Sequence, residues 1–293
     1  MRNKLGRFLL SIRHFIDFFT RFPVIVRALF SGYHYSLYEY WLYLRYTESP
    51  GPVKNFPPVQ VLAQDNQYVQ LKIGSRCYYW PSESNRDDLP WVYQEVLVPA
   101  LQNPHAYQFA GVKVNPGDYV VDAGAFVGFF VHYALQLGAR VLALEPIPSL
   151  ADAMCKTFAS EIAERRVRVL PAALGAAPGQ ASLALVPERL YESKLADEGI
   201  QTEVVTLDDI LGGEKVDFIK MDVEGAEMDA VLGSTRTIAV NKPRLAIAVY
   251  HEYENAHRVC QLLHSIRPEY QIRYRGIYAS NGCKPRPFMV YAW

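Results

Sequence analysis

Three acids and a histidine stand where apolar runs end, and their spacing carries the chemistry of this 293-residue chain. Asp122 closes the run Tyr119–Val121, and Gly124, Gly128 and an apolar helical stretch from Phe129 to Leu137 follow it. Strand, glycine turn and helix in that order present free backbone N–H groups to a ligand. Glycine also admits a close backbone approach that a Cβ would block. Glu145 ends the next run, Arg140 to Leu144, at about the offset expected of a carboxylate that takes ribose hydroxyls. The glycines fall as D-x-G-x-x-x-G, with Ala125 and Phe126 between them, and not as the G-x-G-x-x-G of a pyrophosphate site. An acid beside the turn and another on a ribose suit a nucleoside whose other end is a cation. A nicotinamide dehydrogenase therefore ranks far behind.

A second group of reactive residues lies further along. Asp222 ends the run Val216 to Met221, and Glu224 and Glu227 open the helix after it, where acids suit the dipole and a solvated face. His251 stands at the end of Arg244 to Tyr250. In open α/β sheets such strand tips hold the reacting groups. A histidine with a pKa near neutrality suits removal of a hydroxyl proton. His251 is thus the expected general base, and Asp222 orients its ring, binds the acceptor or takes the proton directly. No metal-ligand set is assigned; a divalent cation between Asp222 and Glu224 is an alternative that the sequence does not favour.

The elements that must position these residues alternate, strand and helix, from Asp118 onward, which predicts a parallel sheet covered on both faces. Ser149 and Asp152 have capping spacing for a helix reaching about Ile162. Val167–Leu170 reads as a third strand, Ala181–Val186 as an extra one, and the polar stretch Pro187–Gly199 as a solvated connector, with a crossing of the active site as the alternative. Upstream, Val59–Gln64 and Tyr68–Ile73 flank Asp65-Asn66 as a hairpin, a third strand follows at Arg76–Trp80, and Trp91–Leu101 reads as a helix. The expected organisation is a basic, aromatic helical arm and Pro-rich linker over 1–56, a hairpin–helix extension over 57–105, and the main domain over 106–293.

Residues 1–46 differ in character from the rest. Arg2, Lys4, Arg7, Arg13, Arg21 and Arg27 face Asp17 alone before residue 30, and Leu5, Leu9, Ile12, Ile16 and Phe19 recur at helical spacing until Pro23 breaks the pattern. No run reaches the roughly 20 apolar residues of a membrane span. The segment reads as an arm packed on the main domain or on a second copy of the chain, with peripheral contact at an anionic membrane surface as the alternative. Thirty basic residues balance thirty acidic ones, so no overall field attracts nucleic acid. Cys77, Cys155, Cys260 and Cys283 show no C-x-x-C pairing, which fits a reducing, cytoplasmic setting.

From about Val114 to Trp293 the sequence resembles the FkbM family of S-adenosylmethionine-dependent methyltransferases. VVDAGAFVGFF at 120–130, ALEPIP at 143–148, TLDDIL at 206–211 and DFIKMDVEGAE at 217–227 carry the resemblance, the last being the most family-specific. Its D/E-x-G-x-G-x-G loop has Phe126 at the middle glycine. The resemblance implies a Rossmann-like seven-stranded methyltransferase sheet, mostly parallel with the last strand antiparallel, behind an N-terminal helical and hairpin extension. It implies methyl transfer from S-adenosylmethionine, usually to a hydroxyl of a sugar, glycan or natural product. It places Asp122, Gly124 and Gly128 at the methionine end of the cofactor, with Ala125 and Phe126 in the same loop, and Glu145 on the ribose. Pro171 to Ala173 holds no acid for the adenine amine, which leaves a backbone contact at Ala172. The competing reading is a non-catalytic nucleoside-binding or scaffold protein at a membrane surface.

Overall fold

A computed structural model describes residues 20–45, 56–87, 89–186, 190 and 193–293. The hairpin region forms three antiparallel strands, β1 (Val59–Gln64), β2 (Tyr68–Ile73) and β3 (Arg76–Pro81). The main domain is built on β4 (Tyr119–Ala123), β5 (Arg140–Leu144), β6 (Val167–Leu170), β7 (Ala172–Leu174), β8 (Gly179–Ala184), β9 (Lys194–Ala196), β10 (Ile200–Val205), β11 (Phe218–Met221), β12 (Arg244–Ala248), β13 (Ile272–Tyr278) and β14 (Arg286–Ala292). Seven of these make one sheet in the order β13-β14-β12-β11-β4-β5-β6. β12, β11, β4, β5 and β6 run parallel, while β14 is antiparallel to both its neighbours. The expected seven-stranded sheet is therefore present, with the last strand antiparallel.

The central strands are buried on both faces. Every residue of β4 and of β11 is buried, as near-continuous apolar strands with helices on either side require. Helices Phe129–Gln136, Pro148–Thr157, Glu227–Leu232 and Asn255–Ile266 follow the strands that hold the site. A second sheet, β7-β10-β8-β9, stands beside the first. The extra strand expected at 181–186 thus belongs to a separate four-stranded layer.

Two local expectations change. Ser149 does not cap the helix after Glu145. That helix starts at Pro148 with Ile147 in the capping place, because proline lacks the N–H that is orphaned there and its φ is preset. The helix ends at Thr157, and a separate short one, Ala159–Ala163, follows. At the other end of the chain, residues 20–29 are helical through Pro23. Val24 and Ala28, one turn apart, are buried against Ile277 and Ala279, and that packing carries the helix past the proline. The preceding residues of the basic arm lie outside the described ones.

The extension is docked by specific contacts. Arg76 on β3 makes a two-pronged pair with Glu161, at 2.8 and 2.9 Å, and lies over the Phe158 ring. Tyr78 meets His132 Nδ1 at 2.6 Å. Burial pushes His132 down to about 4, so the ring stays neutral in this hydrogen bond. From the other side, Glu39 on the helix Leu37–Arg45 pairs with the fully buried Arg275 of β13.

Candidate active site

The tips of β4, β5, β11 and β12 open onto one pocket of about 1120 Å³, its mouth included. One end is formed by the turn after β4 and the tip of β5. Gly124, Ala125 and Phe126 line it, with Glu145 beyond them and Ala172 at the start of β7. Glu145 is 4% exposed and spends its carboxylate on the turn: Oε2 accepts from the Phe126 amide at 2.8 Å and Oε1 from the Ile147 amide at 3.0 Å. Burial, partly opposed by those two bonds, raises its pKa to about 7. Ile147, Leu150 and Leu183 supply an apolar floor. A carboxylate beside an apolar slot, under a glycine turn, fits an adenosine-bearing ligand.

Asp122 and Gly128 stand behind this wall, not on it. Asp122 is completely buried, and its Oδ1 lies 3.1 Å from Lys220 Nζ. Lys220 in turn donates to the carbonyls of Gly124 (2.6 Å) and Ala123 (3.3 Å) and faces the Tyr107 ring. Burial lifts Asp122 above the usual carboxylate range and Lys220 holds it back, so this ion pair sets the turn's shape. Gly128 is needed for packing: a Cβ there would come within 2.4 Å of Phe158. Gly124 has φ +74° and faces the Asp222 carbonyl, which a Cβ would meet at 1.8 Å.

At its other end the pocket is lined by Asp222 and Glu224, and His251 stands directly behind these two acids. Asp222 Oδ2 accepts the Tyr107 hydroxyl at 2.6 Å and lies 3.5 Å from His105 Nε2. His105 reaches Glu95 through Nδ1 at 3.2 Å. His251 Nε2 lies 3.2 Å from Glu224 Oε2 and 3.7 Å from Asp222 Oδ1, while its Nδ1 is 2.8 Å from Glu227 Oε1. The two residues expected to act together are therefore side by side. Glu227 is not the solvated cap its position suggested: it is fully buried, also accepting from Asn255 at 2.7 Å. Glu224 reaches the pocket from a backbone with φ +54°.

Charge is tightly balanced here. Burial would raise Asp222, but His105, Lys220 and His251 together with the Tyr107 bond bring it below the usual range. Burial would lower His251, yet Glu227 and Glu224 hold it well above its ordinary value. The two acids thus favour the charged form of His251, which works against its acting as a free base. Burial drives the Tyr107 and Tyr250 phenols far up, so both remain neutral donors.

Several of these groups escaped the sequence reading. Lys220 is a lysine inside an otherwise apolar, buried strand, and an unpaired charge is not tolerated there; that alone called for a partner. Glu95, His105 and Tyr107 lie before the first strand of the main domain, and no local pattern ties them to Asp222. For the stretch 187–199 the alternative, a crossing of the site, describes what is seen better than a solvated connector: Leu190 and Ser193 are buried and line the pocket beside Lys194. Its residues 187–189 and 191–192 lie outside the described ones.

The Methyltransferase FkbM domain matches residues 122–273, just over half of the chain. Methyltransferase sdnD of Sordaria araneosa is 29% identical over 182 residues, which are 49% of this chain and 68% of the relative. A methyltransferase FkbM from Methylobacillus flagellatus, of known structure, is 24% identical with TM-score 0.47; the alignment covers 62% of this chain and 45% of that one, less than half its length. An S-adenosylmethionine-dependent O-methyltransferase from Thermotoga maritima is 14% identical with TM-score 0.35, covering 61% and 60% of the two chains. With the family domain matched from the first strand tip through the acid–histidine group, the chain belongs to the FkbM methyltransferase family.

Proposed function

We propose that the protein is an S-adenosylmethionine-dependent O-methyltransferase whose acceptor is a hydroxylated small molecule or glycan. The observation that carries this reading is a single pocket with an adenosine-fitting cradle at Glu145 and Gly124–Phe126, and an acid–histidine group at its far end. S-adenosylmethionine, when bound, supplies an activated methyl on a sulfonium. The chain's own task is positioning, which contributes much of the rate of such a displacement. Glu145 takes the ribose hydroxyls, and Ala172 adds a backbone contact nearby. Asp222 and His251 take up the acceptor's hydroxyl at the tips of β11 and β12. Lys220 and Asp122 keep the turn between the two ends in place from behind.

The first test is calorimetric titration with S-adenosylmethionine and S-adenosylhomocysteine, with NAD as the control. Micromolar affinity for the first two and none for NAD is expected, and the reverse would refute the cofactor assignment. His251→Ala should then cut turnover on a hydroxylated acceptor about 100-fold or more, the scale of a proton-handling group, with S-adenosylhomocysteine affinity near wild type. Retained turnover would remove His251 from the site's chemistry.

Attachment is a separate reading. Among the described residues no helix is long and apolar enough to cross a membrane. Leu29, Phe30 and Leu37 are 60, 85 and 88% exposed, next to the basic segment that precedes them. These features support peripheral contact with an anionic surface, or with a second copy of the chain, and sedimentation with anionic vesicles distinguishes the two.

A further inference from the structure

We propose that Asp222, Glu224 and His251 form a divalent-cation site at the acceptor end of the pocket. This rests on the reading of that end as the place of the acceptor hydroxyl. One atom from each residue, Asp222 Oδ1, Glu224 Oε2 and His251 Nε2, faces the same small space, and three such ligand atoms all lie within 4.8 Å of one another. Bonds of roughly 2.1 Å to a cation set neighbouring ligands roughly 3.0–3.5 Å apart. The distances of 3.2 Å and 3.7 Å from His251 Nε2 to the two carboxylates are close to that spacing.

Three further observations separate this from an ordinary acidic cluster. Asp222 Oδ1 is buried without any hydrogen-bond partner on a side chain only 10% exposed, although Oδ2 is fully engaged by Tyr107. Neither ring nitrogen of His251 makes a hydrogen bond, and Nε2 lies between the two carboxylates, 3.2 Å from Glu224 Oε2 and 3.7 Å from Asp222 Oδ1. Behind it, His251 Nδ1 rests on Glu227 Oε1 at 2.8 Å, and Asn255 fixes the other Glu227 oxygen. A carboxylate behind a histidine, itself held by a further donor, is how metal-binding imidazoles are oriented and fixed in one tautomer.

The mixed oxygen and imidazole set suits a divalent cation such as Mn²⁺ better than a thiophilic one. Placed there, it offers an open position toward the pocket, where it would bind the acceptor oxygen and make its proton easier to lose. His251 would then be a ligand, and the acceptor's proton, made more acidic by the cation, would pass to solvent through the pocket mouth instead of to His251.

The test uses the full chain and Mn²⁺ alone. Titration followed by electron paramagnetic resonance should show one tightly held Mn²⁺ per chain, with spin-echo modulation from a directly bonded nitrogen. Glu224→Gln and His251→Gln should weaken binding at least tenfold, and Glu227→Gln should weaken it 10- to 100-fold without touching a ligand atom. Absence of nitrogen coupling, no stoichiometric Mn²⁺, or equal binding in the variants would overturn the site. S-adenosylhomocysteine titrated into the same samples keeps the two readings apart. Its binding without Mn²⁺ sinks only the cation site, and Mn²⁺ binding without it sinks only the cofactor assignment.

Discussion

Glu145 is bound to the backbone through both oxygens, and under the proposed reading it serves the ligand as well. Each of its oxygens already accepts one amide, from Phe126 or Ile147, and each keeps a lone pair that a ribose hydroxyl can use. Glu145→Gln replaces one acceptor by a donor that faces an amide, so cofactor affinity should fall by about 1–3 kcal/mol in a calorimetric titration. Unchanged affinity would show that the ribose lies elsewhere. The same carboxyl has its pKa raised to about 7 by burial. Ribose donors favour the ionised form, so cofactor affinity should be highest above pH 7 and decline as the pH falls through that value. A flat profile between pH 6 and 8 would argue against direct contact.

At the scale of strands, β4 and β11 are held together by more than their ladder. The Asp122–Lys220 pair crosses between them inside the sheet, with Asp122 fully buried and Lys220 almost so at the pocket wall. Removing one partner leaves a buried charge uncompensated, and Asp122→Asn should lower stability by about 3–5 kcal/mol in denaturant unfolding. Asp122→Asn combined with Lys220→Met should recover much of that loss; an additive penalty would mean the pair does not interact. The alternation of strand and helix, the glycine turn and the tips holding Glu145, Asp222 and His251 were legible in sequence because apolar runs ending in polar residues need no distant partner to be recognised. Glu95, His105 and Tyr107 were not, since they reach Asp222 across more than a hundred residues. Glu227 was misjudged for a related reason. A helix-opening acid reads as solvated until the strand tip that brings His251 is placed above it.

Across the molecule, the segment before the main domain is part of its stability. Glu39 accepts the Gly276 amide at 2.7 Å and pairs with Arg275, which also donates to the Ala100 carbonyl. Burial raises Glu39 and Arg275 opposes that, so the two are interdependent. Glu39→Ala strands a fully buried guanidinium and should cost about 3–5 kcal/mol, read as a lower Tm of the whole chain with a single transition. Two separate transitions would show instead that the arm melts on its own. Tyr33, whose hydroxyl donates to the Tyr253 carbonyl, fastens the same segment near the helix that carries Asn255.

The missing side chain at position 124 also fixes a length. With the Asp222 carbonyl where a Cβ would stand, 1.8 Å from that point, the donor's cradle and the acceptor's tip are seated against each other through bare backbone. Nothing compressible separates them, so neither can drift without carrying the other. Changes of acceptor in this scaffold are therefore expected from the outer walls, such as Val92 or Leu190, which can be reshaped without altering the gap that the methyl group has to cross.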